Sequence, residues 1–178
     1  MIHEVIPVIA GELNEYLQSH FGAVETVVEI GNYVNQDGTL ALREENKIIL
    51  SVVNLERDGS NTGFGNPMGT PPVYINVYFM VAAYFNNMNY AEGLKYLSGS
   101  IAFFQSKNVF NHHNTPELSS NISKVQVEVV NLEFRELVNL WSLLGAKYLP
   151  SIIYKLRTLD MEGDNMSRDI PLISGITT

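Results

Sequence analysis

The side chains that could do chemistry are few, and their spacing argues against catalysis. His112 and His113 stand side by side in a polar stretch. Adjacent residues point different ways, so such a pair seldom closes on one metal ion, and no carboxylate stands at a ligand spacing from it. A solvated loop is the plainer reading. His3 and His20 fall at the two ends of an amphipathic run and read as surface or capping residues. Gly63-Phe64-Gly65-Asn66-Pro67-Met68-Gly69 has the glycines of a dinucleotide loop. It carries one residue too many before the last glycine. It also runs into Pro71-Pro72 and a strand, whereas a phosphate cradle opens a helix. Gly99-Ser100 lies inside a helical run without the Gly-x-Ser-x-Gly pattern of a nucleophile elbow. Glu44-Glu45 is a carboxylate pair in a loop, where solvation is the usual state. Lys47 follows with no glycine near it. Trp141 and the tyrosine-rich strand around Tyr74 and Tyr78 could line a pocket, but at their spacings they serve core or interface. No residue is assigned a catalytic, cofactor-binding or metal-ligating role, no cofactor is expected, and the chain reads as a binding protein, not an enzyme.

Composition bounds the remaining choices. The sequence has 178 residues, enough for one domain with a sizeable core. It has no cysteine, which excludes a disulfide framework and thiolate metal sites. The formal net charge is −8, and its Lys and Arg are scattered. A basic patch that would displace counterions from phosphates is missing, so nucleic acid and anionic membrane are not expected partners. The opening Met1-Ile2-His3-Glu4 lacks the basic start of a signal peptide, and no apolar run approaches the roughly 20 residues that span a bilayer. The expected place is the cytoplasm.

The elements that position these residues follow from periodicity. Ile2, Ile6, Ile9, Leu13, Tyr16 and Leu17 recur at helical spacing, which predicts a helix over 2–21 ending at Gly22. Pro7 within it should kink the helix or mark its true start. Residues 23–30 read as a strand and 31–45 as a loop. Residues 47–55 are β-branched and apolar, which predicts a strand buried on both faces. The strongest strand is 73–83, with Val77, Phe79 and Val81 on one face and Tyr78, Met80 and Ala82 on the other, placing it at the sheet centre. Tyr90, Leu94, Leu97, Ile101 and Phe104 predict a helix over 90–106, capped by Asn89 with Glu92 reaching back. A polar loop over 111–123 precedes a half-buried strand over 124–130. Phe134, Leu137, Leu140, Trp141 and Leu144 form the stripe of a third helix stopped at Gly145, and 151–159 is the last strand. The fold class is therefore α+β, a mixed sheet of four to five strands with three helices packed on it.

Two segments lie outside this regular pattern. Residues 56–72 hold four glycines and three prolines and read as a functional arm or flap. Residues 162–178 form a tail after the single domain of 1–161. Its Ile170-Pro171-Leu172-Ile173-Ser174-Gly175-Ile176 is apolar without periodicity, and only burial offsets the entropy of ordering such residues. It either adds to a neighbouring subunit as an arm, folds back on its own domain or is merely disordered.

Several segments carry a family resemblance. They are Leu13-Asn14-Glu15-Tyr16-Leu17, Gly31-Asn32-Tyr33-Val34, Glu45-Asn46-Lys47-Ile48, Pro71-Pro72-Val73-Tyr74-Ile75-Asn76-Val77-Tyr78 and, most specific, Asn139-Leu140-Trp141-Ser142 through Tyr148-Leu149-Pro150-Ser151. Across residues 1–161 the chain resembles the N-terminal domain of the cap, or tail-terminator, protein of contractile injection systems of the antifeeding-prophage and virulence-cassette type. That resemblance implies a tail-terminator-like fold. It also implies a structural role in a sixfold ring (a hexamer) that ends the inner tube and anchors the last sheath ring, with tube and sheath subunits as partners. It implies no catalytic residue. Such a subunit would assemble in the cytoplasm and become part of the contractile particle. The alternatives are an adaptor that docks the particle to other factors, or a small-molecule-binding or enzymatic α+β domain.

Overall fold

The structure, a computed structural model, describes residues 2–42, 44–59 and 74–159. Helix α1 spans Ile2–Phe21, followed by strands β1 (Val28–Ile30), β2 (Lys47–Arg57) and β3 (Ile75–Tyr84). A short 3-10 turn at Asn87–Asn89 leads into α2 (Tyr90–Ser106), then β4 (Val109–Asn111), β5 (Lys124–Val130), α3 (Phe134–Leu144) and β6 (Ser151–Leu159). The strands form one sheet in the order β1-β2-β3-β6-β5-β4. β1 runs parallel to β2 and the other neighbours are antiparallel, so the sheet is mixed. β3 and β6 share its centre.

The sheet is the middle of three layers, because its alternating side chains feed two separate cores. Ile48 and Leu50 of β2, Val77, Phe79 and Val81 of β3, and Tyr154 and Leu156 of β6 point to the side covered by α1 and α2. There Ile9, Leu13 and Leu17 of α1 meet Phe103 and Phe104 of α2. Phe79, Phe104 and Tyr154 form an aromatic cluster, with 4.4 Å between the Phe104 and Tyr154 ring centroids. Ile49, Met80, Ala82 and Ile153 point to the other side, where Trp141 of α3 and Tyr33 of the 31–42 loop cover them. The two-residue period of a strand produces this division directly.

Several expectations need correction. The sheet has six strands, because β4 pairs with the start of β5 through Phe110↔Val125. Three residues are too short to show alternation, but the fully buried Phe110 anchors them. The expected 23–30 strand shrinks to Val28–Ile30. Backbone N–H groups of Val27 and Val28 donate to Asn14 Oδ1 at 2.8 and 3.1 Å, and Thr26 C=O accepts from Lys47 Nζ, so side chains satisfy this segment before the ladder does. β2 is buried on both faces only from Lys47 to Ser51, and beyond a register shift at Val52/Asn54 it emerges into solvent. Pro7 does not mark the start of α1, which begins at Ile2; the lost N–H falls within its first two turns. Asn89 makes no side-chain cap. Asn86 accepts from Asn89 N–H instead, at 3.0 Å, and the Asn89 amide donates to Asn46 Oδ1. Gly22 and Gly145 end their helices as expected, at φ of 70° and 67°, values that cost an L side chain strain.

The irregular 56–72 stretch and the tail fall largely or wholly outside the described residues, which omit 60–73 and 160–178.

Candidate functional site

Residues with catalytic potential are not brought together. His112 and His113 are both exposed. They sit in an Asn-braced turn, where Asn111 Oδ1 accepts from His113 N–H at 2.9 Å and Asn114 Nδ2 donates to the Val109 carbonyl. Ser100 is fully buried inside α2 and donates to the Tyr96 carbonyl at 3.0 Å, the back-bond of a structural serine. Glu44 and Glu45 are exposed, and Glu44 pairs with Lys47 at 3.0 Å. Lys47 is buried and also donates to the Thr26 carbonyl at 2.6 Å. These groups rim a cleft of about 330 Å³ with Glu25, Asn89, Glu92 and Tyr96. Among the described residues its one cation is already engaged and its carboxylates are exposed, so these residues offer neither a nucleophile nor a matched acid and base. Among the described residues, no three His, Asp or Glu side chains gather as metal ligands do. The glycine-rich 63–69 segment lies outside the described residues.

Surface that could hold another chain is concentrated on α3. Glu136 reaches back to accept the Glu133 N–H at 2.9 Å, which fixes the helix start. Seven of the eleven residues from Phe134 to Leu144 are apolar, more than one buried stripe can use. Trp141 alone is fully buried, with its ring 5.2 Å from Tyr33 and 5.8 Å from Tyr148. Leu137, Leu140 and Leu144 are half-buried, while Phe134 and Leu143 are 81% and 83% exposed. A groove of about 500 Å³ runs along Phe134, Val138, Trp141 and Ser142 to Ala146 and Tyr148. A second apolar hollow of about 420 Å³ continues past Ala146 between Leu40, Tyr84 and Leu149. The sequence placed Phe134 in the core. The missed signal was Val138 and Leu143, apolar residues beside the expected stripe.

The second uncovered surface is an edge. β1 flanks only residues 48–50 of β2. Among the described residues no strand lies outside β2 from 52 to 57, and Val52 and Leu55 are exposed there. Such an edge presents unpaired backbone groups that another strand can join. Next to it, Tyr78 OH donates to Glu56, which raises the phenol's pKa, and Lys155 sits over the Tyr78 ring.

No helix among the described residues is long and apolar enough to cross a membrane. No curated protein matches the chain. Two solved structures share its fold. One is the sheath/tube terminator of an extracellular contractile injection system (PVC) in its extended state, at TM-score 0.63 and 12% identity, covering 100% of this chain. The other is the tube-terminating cap of the anti-feeding prophage (AFP), at TM-score 0.52 and 15% identity, covering 96% of this chain. The chain spans about three fifths of each of those proteins, 62% and 60%. Residues 4–174 match the family described as the Pvc16 N-terminal domain, and the chain belongs to that family.

Proposed function

We propose that this domain is a structural cap that ends the tube and sheath of an extracellular contractile injection particle and works by docking, without catalysis. The observation that carries the reading is the shared fold across the full chain with a sheath/tube terminator. The apolar, half-open α3 supports it, since a monomer gains nothing from exposing Phe134 and Leu143. A ring closes only through head-to-tail contacts, which need two unlike surfaces on each subunit. The α3 side and the open β2 edge are two such surfaces, on different elements. A hexameric ring is the assembly this reading favours, with the domain made in the cytoplasm and carried in the finished particle.

The test is electron microscopy of particles assembled with and without this chain. Tubes of unregulated length, or tubes that lose their sheath, are expected in its absence. Particles of unchanged length and sheath occupancy would overturn the reading.

A further inference from the structure

We propose that residues 170–176 of the same chain fill the groove along α3 before any partner binds. The inference is independent of the cap reading, because it concerns the unassembled chain.

Three observations support it. The groove is apolar, and among the described residues no charged side chain lines it. The segment Ile170-Pro171-Leu172-Ile173-Ser174-Gly175-Ile176 is also uncharged, in a chain of net charge −8. Pro171 and Gly175 disfavour a helix, and in an extended chain Ile170, Leu172 and Ile176 fall on one side. The groove's α3 wall runs from Phe134 to Ser142, about 12 Å at the helical rise, and four or five extended residues cover that length.

Reach is the third observation. α3 covers Ile153 of β6, and the described chain ends at Leu159 of the same strand, a separation of about 20 Å. Ten residues, 160–169, connect Leu159 to the segment. A ten-residue random coil averages about 17 Å end to end, and ten residues fully extended span about 33 Å. The linker length therefore suits the chain's own groove, where tethering gives an effective concentration in the millimolar range. At ordinary concentrations a second copy cannot compete with that.

The absence of cysteine from these 178 residues gives a clean test by disulfide trapping. Two double variants, V138C/S174C and Y148C/S174C, place one thiol on the exposed part of the groove and the other on the side of the segment that faces it. A control, E15C/S174C, places it on the exposed side of α1, on the opposite face of the sheet. On mild oxidation, at least one groove pair should form a monomeric cross-link roughly tenfold faster than the control, at a rate independent of protein concentration. Adding F134D, at an exposed position of the groove, should slow that cross-link. Groove pairs that react no faster than the control, or that yield only cross-linked dimers, would overturn the proposal.

Discussion

Trp141 touches Tyr33 and Tyr148 and is 4% exposed, so its truncation is a core change. Trp141→Ala should lower stability by roughly 3–5 kcal/mol in urea unfolding. Two glycines give a sharper contrast. A Cβ on Gly99 would lie 2.6 Å from the Phe21 ring and 2.9 Å from Leu17, at the crossing of α1 and α2. Gly99→Ala should therefore destabilise by about 1–2 kcal/mol, overpacking outweighing the gain in helix propensity. Gly11, also helical, meets nothing within 4 Å, and Gly11→Ala should stabilise by about 0.5–1 kcal/mol in the same measurement. Burial pushes the Tyr33 and Tyr154 phenols well up, and neither hydroxyl has a hydrogen-bond partner among the described residues. Below pH ~10 both states keep these protons and stability is unaffected. Above it the unfolded chain ionises first, so stability falls as pH rises. Urea midpoints at rising alkaline pH should show this slope, and Tyr154→Phe should reduce it. The burial of Trp141 was legible from helical spacing; the contacts of Gly99 were not, because they depend on how two helices cross.

At the scale of elements, the long periodic segments were readable and the short or context-made ones were not. α1, α2, β3 and β6 lie close to their expected bounds, because periodicity over nine or more residues leaves little choice. β4 and β1 are three residues each, and partners rather than propensity create them. β2 shows how one sequence pattern serves two roles. Its first five residues are buried, while its second half, from Val52 on, lies along an open edge. Leu55→Lys places a charge on that edge at an exposed position. It should leave stability within about 0.5 kcal/mol yet block assembly, as read by electron microscopy and native mass. Intact assembly by the variant would show that partners do not use this edge.

For the molecule as a whole, one uncovered surface lies on the α3 layer and the other on the edge of the sheet at β2, so the two are carried by different layers. The family and fold class were within reach of the sequence; the outward turn of α3 was not, since amphipathic counting assumes that every apolar stripe faces inward. The amide of Asn14, on α1, accepts both Val27 and Val28 N–H groups at the outer strand of the sheet. That side chain acts as a ruler between the first helix and the first strand. Adding or deleting a single residue at 22–26 would leave the ruler gripping the wrong amides and invert which side chains of β1 face α1. Although this connection is partly exposed, its length should be nearly invariant in functional variants, and a library of insertions across the chain should find it among the least forgiving of its loops.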